Sequence, residues 1–353
     1  MTQALLTTTA PDASPAGTRR PVSRHGRRLL IMALAVVLVV AVSIASVIWG
    51  ARSVEPSDVW LALQGHQDTI GQAAVAKRLP RTLLALIVGA ALALSGAVMQ
   101  GVTRNPLADP GILGVTAGAS LAVVIGIAFF GLASANGYLW VAIVGAGLSA
   151  VFVYAVGSAG RGGATPLKLA LAGTVTAAAF HSLVSAILLP RVMVMNHFRF
   201  WQIGGVGGAS HDRITLILPL IVVGILLCVS SAARLNALAL GDELAAGLGE
   251  RVARARILAT VGAVILCGAA TAVAGPIGFI GLVVPHACRI LIGLDHRWML
   301  PLSILLGGAL LTAADVIGRV VAQPTELDVG IVTAFIGAPV FIWLVRRMRV
   351  RAL

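Results

Sequence analysis

Few residues in this chain have types and spacings suited to chemistry, and they fall into small groups. The densest is the stretch 234–256, RLNALALGDELAAGLGERVARAR, where Asp242, Glu243 and Glu250 lie among four arginines between two apolar runs. Within it, Gly241 through Gly249 reads as one short helix, with acids in the first turn where the macrodipole favours them and Gly249 placed to stop it. Leu244 and Leu248 then share one face. So short a helix needs a surface to lie on, either its own chain, as an ordinary loop, or another subunit, as a connector. Elsewhere Asp315 precedes Arg319 by one turn, the favourable order for a local ion pair. His181 stands alone and reads as a packing residue, while His286 and Arg289 follow Pro285 closely. HExxH, GxSxG and Walker A patterns are absent from the sequence, so metalloprotease, serine-hydrolase and P-loop ATPase chemistry have no recognisable seat.

The elements that must position these groups are membrane spans. With 58% hydrophobic residues, 11% charged residues and a mean hydropathy of +0.98, the chain has too little polar surface for a soluble domain. It reads as an all-α polytopic membrane protein. The net charge of +13 would in a soluble chain suggest nucleic acid, but in a membrane protein the placement of the charges matters more, and no nucleic-acid partner is expected. Cys228, Cys267 and Cys288 sit inside apolar runs, as packing residues rather than a disulfide framework or metal site. Residues 1–28 read as a disordered basic tail and 346–353 as a second basic tail. Between them, 29–345 reads as one domain of about ten spans, near 29–49, 82–102, 112–131, 137–157, 167–189, 214–233, 257–274, 278–293, 299–322 and 328–345. The run 278–293 is short and suggests a helix tilted, or broken behind Pro285.

Ten spans put both termini on one side. Lys and Arg gather on that side, which predicts cytoplasmic termini in the plasma (inner) membrane and a cytoplasmic stretch 234–256. Divided at that stretch, the runs are read as two five-helix halves, and an odd number per half makes any repeat inverted. Each half carries a glycine-rich interruption, Ser95-Gly96 through Gly111-Gly114 and Gly275-Pro276-Ile277-Gly278 through Pro285, as expected of discontinuous helices on a transport pathway or of close helix packing. An ion-coupled carrier should place carboxylates or histidines near the midplane. Few such residues are present, which favours a permease driven by a separate motor.

Arg78-Leu79-Pro80-Arg81, GAALALSGAVMQGVTRNPLADPGILGVTAGAS at 89–120, FWQIGGVGG at 200–208, LGDELAAGLG at 240–249, GPIGFIGLVVPHACRILIGLDHR at 275–297 and IGAPVFIWL at 336–344 carry a resemblance. In order and spacing they resemble the FecCD-type permeases of ABC importers, the family for iron-siderophores, haem and vitamin B12. One departure is Asp328, where the family usually has proline at the start of the last span. The resemblance implies a fold like the vitamin B12 importer permease, paired with a second copy or a related permease around a central pathway and embedded in membrane lipid. It further implies two cytoplasmic ATPase subunits, which hold ATP and Mg, and an extracytoplasmic substrate-binding protein. This chain itself is then a transporter subunit, not an enzyme, and binds no cofactor or metal.

Residue by residue, the resemblance gives ATPase coupling to Leu240, Gly241, Asp242, Glu243, Leu244, Ala245, Ala246, Leu248 and Gly249. It gives binding-protein docking to Arg78 and Arg81, expected just before the second span, and to Arg319. The alternatives are that these arginines reach lipid headgroups, or that Arg319 only pairs with Asp315. Asn105, Pro106, Asp109 and Pro110 read as a rigid turn at the inner end of the second span. Gly275, Pro276 and Gly278 read as a break between the seventh and eighth spans, followed by Pro285, His286 and Arg289 in the eighth. Iron-siderophore complexes are the expected cargo, with haem or cobalamin as alternatives and an ion-coupled secondary transporter as the reading from another class.

Overall fold

The computed structural model describes residues 24–52, 54–159 and 165–347, so most of both expected tails lies outside it. Within the described residues there are helices and turns but no strand. In chain order the helices are α1 (Arg24–Ile48), α2 (Pro56–Leu63), α3 (Ile70–Thr103), a 3-10 turn at Pro110–Leu113, α4 (Val115–Phe130), α5 (Ala135–Ser158), α6 (Pro166–Leu188) and α7 (Val192–Gln202). There follow α8 (His211–Ser230), α9 (Ala232–Leu238), α10 (Asp242–Gly247), α11 (Val252–Ala274), α12 (Ile280–Ile292), α13 (His296–Val321) and α14 (Val329–Arg347).

Seven of these, α1, α3, α5, α6, α8, α11 and α13, are long and apolar enough to cross a membrane. Three shorter apolar helices, α4, α12 and α14, occupy the other expected runs. Helix reaches into both expected tails: α1 starts at Arg24 and α14 runs to Arg347, so the basic residues Arg27, Arg28 and Arg346 belong to helices. The stretch holding α9 and α10 follows the sixth apolar helix rather than the fifth. It therefore does not divide the chain into halves of five; that division falls between α6 and α8.

The bundle is organised around α3. Its apolar window is 83% buried, against 11% for α1 and 17% for α6, so α3 is the central post and α1 and α6 are peripheral. It is also longer than expected. Thr69 and Gln72 form a capping box that starts the helix eight residues before Arg78, and 34 residues span about 51 Å, well beyond a hydrocarbon core. Arg78, Pro80 and Arg81 thus lie inside α3 rather than in front of it.

The two ends of the bundle are chemically distinct. One, here the terminal face, carries the start of α1, the end of α3, α9, α10 and the start of α13. There Asp295 caps α13, accepts from Asn236 Nδ2 at 2.8 Å and pairs with Arg28 at 3.5 Å, tying α1, α9 and α13 together. The other, the opposite face, carries α2, the start of α3, α7 and the α13–α14 loop.

Candidate functional sites at the two faces and the broken helix

On the opposite face, three arginines meet the ends of α1 and α13. A helix leaves its last carbonyls without partners, and Arg78 supplies them for α1. Its Nη1 donates to the carbonyls of Val47 and Ile48 at 2.9 and 2.8 Å, and its Nη2 to that of Arg52 at 2.7 Å. Arg319 does the same one residue earlier, donating to Ser46 O at 3.1 Å and Ser46 Oγ at 2.7 Å, while its Nε pairs with Asp315 at 3.1 Å. Arg81 completes the group: Nε and Nη2 grip Asp315, the latter at 2.8 Å, and Nη1 reaches Glu326 at 2.6 Å.

Burial separates these arginines by role. Arg78 is 6% exposed and Arg319 1%, so both lie behind the surface with their guanidiniums engaged inside the chain, and the local Asp315–Arg319 pair is present. Only Arg81 combines a buried partner with an exposed one, since the side chain of Asp315 is 1% exposed and that of Glu326 42%. A cavity of about 690 Å³ opens over the group, lined by Arg52, Lys77, Arg78, Arg81, Arg319 and Glu326. Beside it, burial raises the Asp328 carboxyl above the usual range; Arg81 opposes that rise, and Glu326 and Asp315 add to it.

Between the faces, α11 and α12 are separated by an irregular segment. Gly275 has φ of 71° and Phe279 φ of 70°, which turn the chain at each end of it. The first turn is stitched by the glycines of FWQIGGVGG: Gly205 N donates to Ala274 O at 2.7 Å, and Gly330 N to Gly204 O at 3.1 Å. The interruption therefore lies at Gly275, Pro276 and Gly278, as expected, and not behind Pro285, which sits within α12. Pro285 has no N–H, so the carbonyl of Gly281 lacks its helical partner. Gln100 Nε2 donates to it at 3.0 Å, and Gln100 Oε1 in turn accepts from Arg289.

Close approach makes that bond possible, because a Cβ at Gly96 would strike the backbone of Gly281. The turn from Asn105 to Pro110 reaches the same place. Asn105 Oδ1 accepts from Leu107 N at 2.9 Å, which shapes the turn, and Asp109 Oδ1 accepts from Gly111 N at 2.8 Å. Asp109 Oδ2 lies against Gly281, 2.9 Å from where a Cβ would stand. Burial raises the Asp109 carboxyl, against the lowering effect of the Gly111 bond. His286 is half-buried in the same helix.

On the terminal face, α10 is a short helix carried outside the bundle. Gly241 and Gly249 bracket it with φ of 115° and 86°, a conformation that favours glycine. Asp242, in the first turn, accepts from Arg256 Nη2 at 2.9 and 3.0 Å and from Arg104 at the end of α3. Glu250 pairs with Arg234 at 3.6 Å. Ala245 faces inward and is fully buried, while Leu240, Leu244 and Leu248 form an uncovered row, 58%, 62% and 68% exposed. Glu243 and Ala246 are exposed beside it.

A model of the FecCD transport family matches residues 37–347, from the middle of α1 to the end of α14. The chain belongs to the FecCD transport family. It is 45% identical over 323 residues to the ferric enterobactin transport system permease protein FepD of Escherichia coli (strain K12), covering 91% of this chain and 96% of that one. It is 44% identical over 306 residues to the iron(3+)-hydroxamate import system permease protein FhuB of Bacillus subtilis (strain 168), covering 86% and 79%. Other relatives are named for ferric citrate and hemin transport. Among solved structures, a metal-chelate type ABC transporter in an inward-facing conformation matches with a TM-score of 0.79 and 30% identity, over 91% of this chain and all of that one.

Several residues of this FecCD chain that hold the sites together escaped sequence reasoning. Gln100, buried in α3, is the clearest. A glutamine inside a span, paired with a proline four residues beyond a glycine in another, is a signal that could have found it. Glu326 and Asn236 gave no comparable signal, because both lie in polar connections between apolar runs, where a polar side chain does not stand out. Among the described residues no group of His, Cys, Asp and Glu is arranged to hold a metal.

Proposed function

We propose that this FecCD chain is a ten-span permease subunit, built as two inverted halves, of an ATP-driven importer for iron-siderophore complexes. The terminal face is cytoplasmic, the membrane is the plasma (inner) membrane, and α10 is the connector to a separate ATPase that holds ATP and Mg. The observation that carries the reading is the row of Leu240, Leu244 and Leu248. Uncovered leucines on and beside a helix too short to stand alone call for a partner, and Asp242 ties that helix to α3 and α11. A partner that grips this row better in one state of its own cycle shifts the bundle between states.

A second permease covers apolar rows left open at the bundle's edge, such as Leu171 and Val175 on α6 and Phe335 on α14, exposed by 59%, 70% and 78%. The opposite face meets an extracytoplasmic binding protein over the cavity that holds Arg81. Ferric siderophores lead as cargo because of the similarity to ferric enterobactin and ferric hydroxamate permeases; haem and cobalamin are the alternatives. Uptake of labelled ferric catecholate, ferric hydroxamate, haem and cobalamin, compared in cells with and without the gene, tests the cargo. Loss of only haem or cobalamin uptake would overturn the siderophore reading. Uptake stopped by a protonophore at constant cellular ATP would overturn ATP coupling.

A further inference from the structure

We propose that Glu326 occupies, in the free permease, the seat on Arg81 that a carboxylate of the binding protein takes on docking. The inference rests on the reading that this face meets such a protein, and it assigns the exchange to one residue of this chain. Five cations, Arg52, Lys77, Arg78, Arg81 and Arg319, line the cavity. The carboxylates that face them are Asp315, buried between two guanidiniums, Glu326 at the mouth, and Asp328 beside it, within the field of Arg81 but not bonded to it. The cavity thus carries surplus positive charge, and the chemistry that fits it is a carboxylate-bearing protein surface.

Among these cations, Arg78 and Arg319 direct their Nη groups at backbone and at Ser46, so they are committed to the fold. Arg81 is divided. One edge of its planar fork holds buried Asp315, and the other, through Nη1, holds Glu326 at 2.6 Å. A carboxylate from outside can take the second edge with the same geometry while the first stays in place. Glu326 can yield because it is exposed and sits in the short connection between α13 and α14. Asp315 cannot yield without leaving buried charge unpaired.

The exchange also has somewhere to lead. Two residues after Glu326 lies Asp328, and Gly330 at the start of α14 bonds the Gly204 carbonyl at 3.1 Å, in the stitch beside the α11–α12 interruption. Release of Glu326 therefore loosens the connection that enters α14 next to the broken helix, while Arg81 remains neutralised by the incoming carboxylate. Docking is in this way coupled to the bundle without a net loss of ion pairs.

The test is a titration of the assembled importer in nanodiscs with the substrate-binding protein of the same system, at several salt concentrations. Wild-type affinity is expected to fall as salt rises. Glu326→Gln removes the internal competitor and is expected to bind about fivefold tighter. Glu326→Asp keeps the charge but shortens its reach, and is expected to tighten binding by a smaller factor. Asp328→Asn, a neighbouring carboxylate not bonded to Arg81, is expected to change affinity less than either. Salt-independent wild-type binding would overturn the docking reading itself. Salt-dependent wild-type binding with unchanged or weaker affinity in both Glu326 variants would overturn the exchange alone, as would an equal gain in Asp328→Asn, which would reduce the effect to net charge.

Discussion

The side-chain amide of Gln100 lies 3.0 Å from the carbonyl oxygen of Gly281, the group that Pro285 leaves without a helical partner one turn later. One helix thus repairs another's defect across a contact that only glycine permits. Replacing Gln100 with Leu keeps the volume and removes the donor. The buried carbonyl is then unsatisfied, at a cost of about 1–3 kcal/mol, and Arg289 loses its acceptor. Thermal unfolding of purified Gln100→Leu should show a clear drop against wild type; an unchanged transition would mean the bond contributes nothing.

Substitution of Leu244 or Leu248 by Asp acts on the exposed row of α10 and on nothing buried. The chain should reach the membrane and unfold as wild type does, yet lose co-purification with its ATPase and lose uptake. Normal complex formation and uptake in both variants would remove the connector role.

Asp242→Asn offers a finer cut, since it leaves the leucines in place while weakening the link to Arg104 and Arg256. Its side chain is 46% exposed, so the stability change should stay below about 1 kcal/mol. ATPase assembly should survive, but hydrolysis should no longer respond to the loaded binding protein. Retained stimulation in the variant would place the coupling elsewhere.

The arginine group predicts a contrast in stability. Arg319→Met leaves Asp315 short of one buried partner and should cost about 3 kcal/mol or more, whereas Glu326→Gln on the rim should cost less than about 1 kcal/mol. Equal losses on denaturation would mean that burial does not separate the two sites.

Asp295 gives a pH dependence. Its burial opposes ionisation, but the Asn236 amide, the Arg297 backbone N–H, and the charges of Arg28 and Arg297 outweigh that and hold the carboxyl below its usual value of 3.8. A lowered carboxylate contributes stability above the unfolded value and loses it as pH falls through the folded one. Melting temperatures measured from pH 6 down to about 3 should therefore fall less steeply in Asp295→Asn than in wild type. Superimposable curves would dismiss the effect.

The terminal-face helix was legible in the sequence because its determinants are local. Glycines at both ends, acids in the first turn and a four-residue leucine spacing act within a few residues of each other. The Gly275–Gly278 interruption was legible for the same reason. Arg78, Arg81 and Arg319 were legible only as residue types. Their burial depends on where α1 ends and where α3 begins, and the latter was set by Thr69 and Gln72, upstream of the apolar run that marks the span.

Nothing lies within 4 Å of a Cβ added at Gly241, Gly247 or Gly249, and Leu240, Leu244 and Leu248 touch little of their own chain. The helix between those glycines is therefore an interchangeable cassette, held by Ala245 and Asp242 and otherwise free of the membrane bundle. On the proposed coupling role, its outward residues can be rewritten to suit a different motor protein without repacking a single span. Under that proposal, pairing between permease and motor is open to change on its own, independently of whatever cargo the rest of the chain conveys.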